Sequence, residues 1–207
     1  MTRLSIRARL TLWYSLVLLA ALIYALFFVF VSLAPYVMLK ILRLPTDQFG
    51  LYYLFLASGF FIGNLLVSRS AGHHDVVHQT HAGLWWQLLG SSGALALVLL
   101  GYVHPLAVFV PMMLFSFGQG LALPNLIAHG IRLAPNYTGV ASSIFGFSQL
   151  ALSALAIQAM GYAPATSWQP ALWFCVAGAA LTGVGVVGLH AMENFANPRI
   201  GKSGPPA

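Results

Sequence analysis

Residues 10 to 39 read LTLWYSLVLLAALIYALFFVFVSLAPYVML, an apolar run closed by Arg9 on one side and Lys40 on the other. An uncharged stretch of about 18 residues or more is long enough, as an α-helix, to cross the hydrocarbon core of a bilayer. The run therefore predicts a membrane span. Arg3, Arg7 and Arg9 ahead of it imitate a signal peptide. The apolar interval, however, is roughly twice the 7 to 15 residues of a signal-peptide core, so the segment is expected to be retained.

The remainder of the chain has the same character. Of its 207 residues 59% are hydrophobic and 6% charged, with a mean hydropathy of +0.85. An ordinary soluble domain carries about 25% charged residues, and a disordered chain is far more polar. Both classes are excluded, which leaves an all-α polytopic membrane protein whose first partner is the lipid bilayer. The formal charge of +6 is spread singly and in small groups between apolar runs; it encodes topology and not a nucleic-acid surface. Cys175 is the single cysteine, so no disulfide framework forms within the chain.

Polar breaks divide the sequence into six predicted spans, approximately 10–36, 49–68, 82–102, 105–129, 138–161 and 169–191, within one domain covering 1–207. The uncharged interval between Arg132 and Glu193 holds two of them. Gly161, Pro164 and Pro170 supply the turn between these two. An even number of crossings puts both termini on one side. With the termini cytoplasmic, the inner segments hold Arg3, Arg7, Arg9, Arg69, Arg132, Arg199 and Lys202, and the outer ones only Lys40 and Arg43. This is the bias that short cytoplasmic loops carry. Tryptophan and tyrosine cluster near the predicted borders as interfacial anchors do. Tyr24, in the middle of the first span, is the exception: its hydroxyl needs either a neighbouring helix or a water-filled cavity.

Polar groups inside the spans are few, and each needs a partner in a medium that offers none. Ser116 and Gln119 lie near the centre of the fourth span, with Asn125 after Pro124. Pro111, Gly118, Gly120 and Pro124 mark that span as one that bends or gates. In the fifth, Ser142, Gly146, Gln149 and Ser153 follow one another at steps that share a helix face. Such a stripe suits either helix packing or the wall of a solute cavity. Gly178, Thr182 and Gly185 form a close-packing face on the sixth. His73, His74, His78 and His81 are the one metal-like group; a solvated loop is the default reading, and a histidine-box membrane metalloenzyme the rival. No catalytic residue, metal or cofactor is assigned.

Four segments resemble the C-terminal half, helices seven to twelve, of a major facilitator superfamily transporter of the Bcr/CflA multidrug efflux group. They are SLAPYVM at 32–38, FGLYY with GNLLVSR at 49–53 and 63–69, FGQGLALPN at 117–125 and GVASSIFGFSQ at 139–149. The resemblance implies half of a twelve-helix bundle, built of two inverted three-helix repeats, in a cell inner membrane. By position it implies that Tyr24, Phe28, Ser32, Gln119, Asn125 and Gln149 face a small amphipathic substrate. It also implies that Gly63, Asn64, Arg69 and Pro124 belong to the gate. Alternating access needs two halves, so the expected partner is a missing N-terminal half or a second copy of the chain. A non-transporting remnant or assembly partner is the alternative.

Overall fold

The computed structural model describes residues 6–70, 76–102, 104–162, 178, 180 and 183–185. Helix α1 spans Ile6–Tyr36 and widens into a π-helical turn at Val37–Ile41. It is followed by α2 (Thr46–Ser70), α3 (Val76–Leu99) and α4 (Pro105–Arg132), then a 3₁₀ turn at Pro135–Tyr137 and α5 (Thr138–Gly161). Each of the five helices is long and apolar enough to cross a membrane, and no strand occurs among the described residues. Apart from residues 178, 180 and 183–185, the predicted sixth span lies outside the described residues.

Local chemistry accounts for the helix ends. Pro35 has no N–H to give the Val31 carbonyl four residues back, and the Tyr53 hydroxyl of α2 donates to that oxygen instead, at 2.7 Å. Beyond the proline the backbone bonds lengthen in register: Leu42 N–H donates to Val37 and Leu44 N–H to Met38. Arg43 takes a left-handed conformation, φ 52°, to turn the chain. At the end of α3 that conformation belongs to Gly101, φ 74°. There the Gly101 N–H donates to Val98 and the Tyr102 N–H to Leu97, the paired bonds of a Schellman cap. His104 caps the start of α4 by accepting the Leu106 N–H on Nδ1, and Pro105 fills the first helical position, where no donor is needed.

Lipid gives helices no hydrophobic reason to associate, so close van der Waals contact and hydrogen bonds must hold the bundle together. Glycine supplies the close contact, and α4 is gripped on two sides. Towards α3, a Cβ on Gly83 would stand 2.6 Å from the Gly118 carbonyl oxygen, and one on Gly90 2.6 Å from that of Pro111. Towards α2, a Cβ on Gly120 would stand 2.5 Å from the Phe60 carbonyl and 3.1 Å from Gly63 Cα. The glycines of the fourth span are thus packing surfaces of a helix continuous from 105 to 132, not interruptions of it.

The packing order is specific. Helix α4 lies chiefly against α2 and α3, α1 against α5, and α1 also meets α4. Of the last predicted span, Gly185 abuts Leu19 of α1 and Leu84 of α3, and Gly178 abuts Ser91 of α3. Both glycines thus meet side chains of neighbouring helices, and Thr182 of the same expected face lies outside the described residues.

Two apolar clusters fill the interior. One joins Leu26, Val29 and Phe30 of α1 to Phe109, Met112 and Phe115 of α4. The other joins Leu16, Ala20 and Ile23 to Ala122, Leu123 and Leu126, with Phe145 of α5. The outer surface is apolar too, with Leu51, Leu54 and Phe61 on α2 and Phe147, Leu150 and Leu155 on α5 exposed, as a lipid-facing surface requires.

Candidate functional site

The two clusters divide between Ile23 and Leu26 on α1 and between Phe115 and Ala122 on α4. Tyr24, Ser116 and Gln119 occupy that division, so the antiparallel helices bring them to one depth in the bundle. Ser116 is fully buried and Gln119 1% exposed. Neither Ser116 Oγ nor Gln119 Oε1 has a hydrogen-bond partner among the described residues. Gln87 of α3, also fully buried, leaves both atoms of its amide unpaired there and packs its side chain beside Gly118. Unpaired amides in an apolar medium cost free energy, and among the described residues this middle layer gathers Ser116, Gln119 and Gln87 with such unmet polar atoms.

Aromatic rings border the layer. Tyr24 and Phe28 lie 4.7 Å apart by ring centroid, Phe27 is edge-on to Phe28, and Phe27 stacks on Phe60 of α2 at 6.5 Å. Tyr24 and Phe28 are half-buried and Ser32 is exposed, so these three predicted substrate contacts reach the surface of the bundle. The other three do not. Gln119 is enclosed. Gln149 is 8% exposed, with no partner for Nε2 among the described residues. Asn125 is engaged elsewhere.

Asn125 Nδ2 donates to Gln79 Oε1 of α3 at 3.1 Å and to the Leu121 carbonyl at 3.0 Å, and Gln79 Nε2 donates to Ser70 Oγ of α2 at 2.6 Å. These bonds tie the end of α2, the first turns of α3 and α4 together. No sequence signal pointed to Gln79 or Ser70.

The polar stripe of α5 splits along its length. Its buried positions are Ala141, Phe145, Gln149 and Ser153, whereas Ser142 and Gly146 are exposed and a Cβ on Gly146 would meet nothing within 4 Å. Among the predicted gating residues, Gly63 forms the α2–α4 contact, Asn64 bonds the Phe60 carbonyl, Arg69 is exposed at the end of α2, and Pro124 is half-buried in α4. Of the histidines, His73 and His74 lie outside the described residues, His78 is exposed and His81 buried. No group of three metal-binding side chains occurs among the described residues.

The chain matches no family model, and no curated protein is detectably similar to it.

A cleft of about 450 Å³ opens at the other end of α1 from Lys40, between the start of that helix and the α4–α5 turn. Its walls include Trp13 and Tyr14 on one side and Leu133, Tyr137, Val140 and Ile144 on the other. None of the predicted substrate or gating residues lines it. Arg7 and Arg9 in the first turn of α1 and Arg132 at the end of α4 share this end of the bundle, and Lys40 and Arg43 lie at the opposite one.

Proposed function

We propose that the chain is one half of a transporter of the major facilitator type, of the Bcr/CflA efflux group, set in a cell inner membrane with its arginine-rich end cytoplasmic. It passes small amphipathic organic molecules only when it faces a second half, from another segment or a second copy. The observation carrying this reading is the crossed pairing of helices. The fourth helix packs on the second and third, while the first packs on the fifth and meets Gly185 of the last predicted span. Two three-helix units that exchange neighbours in this way suit a pair of inverted repeats. An amide-bearing middle layer bordered by Tyr24, Phe27 and Phe28 suits an amphipathic solute.

A specific observation also favours the non-transporting reading: Gln119 is enclosed and Asn125 is committed to a structural link. Dye efflux separates the two. Cells expressing two copies of the chain fused in tandem should export a fluorescent amphipathic cation, and Gln119→Leu with Gln149→Leu should abolish export, while His78→Ala should not. Absence of export by the tandem protein would overturn pairing with a second copy, and export unaffected by the glutamine variants would overturn the proposed solute path.

A further inference from the structure

We infer that the cleft between the start of α1 and the α4–α5 turn binds an anionic phospholipid of the surrounding bilayer, with an acyl chain in the cleft and the phosphate at its arginine rim. The inference needs the chain to span a membrane but does not depend on whether it transports.

Three observations identify the occupant. The first is the volume, about 450 Å³, within the range of roughly 300–1,000 Å³ typical of small-molecule sites. The second is the lining, which is two-tiered: Leu133, Val140 and Ile144 offer aliphatic surface, and Trp13, Tyr14 and Tyr137 add amphipathic rings. Such rings settle at the headgroup level of a membrane, so the cleft spans the boundary where a lipid's tail meets its headgroup. Tyr14 is 64% and Tyr137 70% exposed, leaving their rings uncovered by protein.

The third observation is charge. Arg132 is exposed and immediately precedes Leu133 of the cleft wall; Arg7 and Arg9 occupy the turn of α1 just before Leu10, another wall residue. No carboxylate is among the residues that line the cleft. Among the described residues, the cleft is thus flanked by the exposed Arg132 and by the arginine-bearing first turn of α1, and no acid lines it. Guanidinium pairs with phosphate through parallel hydrogen bonds, and basic pockets between membrane helices select anionic headgroups. A neutral detergent or a zwitterionic lipid would fill the apolar tier but gain less from the rim.

Native mass spectrometry of the full chain, released from detergent with added phosphatidylglycerol or phosphatidylcholine, tests the assignment. Phosphatidylglycerol should remain bound in preference to phosphatidylcholine. Arg132→Gln, at an exposed position that leaves packing intact, should weaken retention about fivefold, the effect of one basic residue at an anionic surface. Val140→Trp, also at an exposed wall position, should block the cleft and abolish the preference while the protein stays folded by circular dichroism. Equal retention of both lipids by the unaltered chain marks an unselective lipid annulus and overturns the inference. So does a preference that survives both variants.

Discussion

The hydroxyl of Tyr53 on α2 donates to the carbonyl of Val31 on α1 at 2.7 Å, and that carbonyl is the one Pro35 leaves without a backbone donor. A proline within a membrane helix is tolerated when a neighbour satisfies the freed oxygen, and here the neighbour is one phenol. The bond fixes α1 to α2 at the point where α1 passes into its π-helical turn.

Tyr53→Phe keeps the ring and removes the donor, so it should destabilise the bundle by about 1 kcal/mol, the usual value for an interhelical hydrogen bond in membranes. Pro35→Ala restores the backbone N–H and should reduce that cost by at least half. A double-mutant cycle by thermal unfolding in detergent measures the coupling; strictly additive effects would separate the two residues.

The grip on α4 depends on missing side chains. A Cβ on Gly120 would press on the Phe60 carbonyl at 2.5 Å, and backbone cannot yield without parting the helices. Gly120→Ala should cost about 2 kcal/mol, within the range for overpacked interiors. Gly146→Ala faces open space and should be neutral or stabilising by up to about 1 kcal/mol, from helix propensity alone. Melting temperatures of the two variants provide the comparison.

Arg43 holds a left-handed conformation at φ 52° without glycine's freedom. Arg43→Gly should therefore stabilise the chain by about 1 kcal/mol, the lower part of the cost of that conformation for a side-chain-bearing residue. A higher melting temperature is the expected result.

The link from Asn125 through Gln79 to Ser70 ties the end of α2 and the first turns of α3 to α4. Gln79→Leu removes both bonds and leaves the Asn125 amide with only the Leu121 carbonyl. Trypsin cleavage after the exposed Arg69 should then be faster than in the unaltered chain, and unchanged cleavage would show that the link does not restrain the turn.

The order of the five described helices was legible because hydropathy reports the solvent directly: Pro105 and Thr138 begin α4 and α5 where the apolar runs begin. The start of α3 was not. His78, Gln79, Thr80 and His81 read as loop, yet the helix begins at Val76. Thr80 Oγ1 donates back to the Val76 carbonyl and Gln79 bridges α2 and α4, and such bonds sustain a helix beyond its apolar part. For the site, the residue types were legible but the faces were not. A polar stripe looks the same in sequence whether it meets a cavity or another helix. Asn125 and Gln79 are 46 residues apart, a separation over which periodicity carries no information.

Two introduced cysteines test most directly whether the bundle crosses the membrane. In a Cys175→Ser background, Tyr137→Cys sits on the exposed α4–α5 turn at the arginine-rich end, and Tyr102→Cys on the exposed α3–α4 turn at the other. An impermeant maleimide applied to intact spheroplasts should label Tyr102→Cys alone, and applied to inside-out vesicles should label Tyr137→Cys alone. Labelling of both from the same side would contradict a bundle that crosses the bilayer.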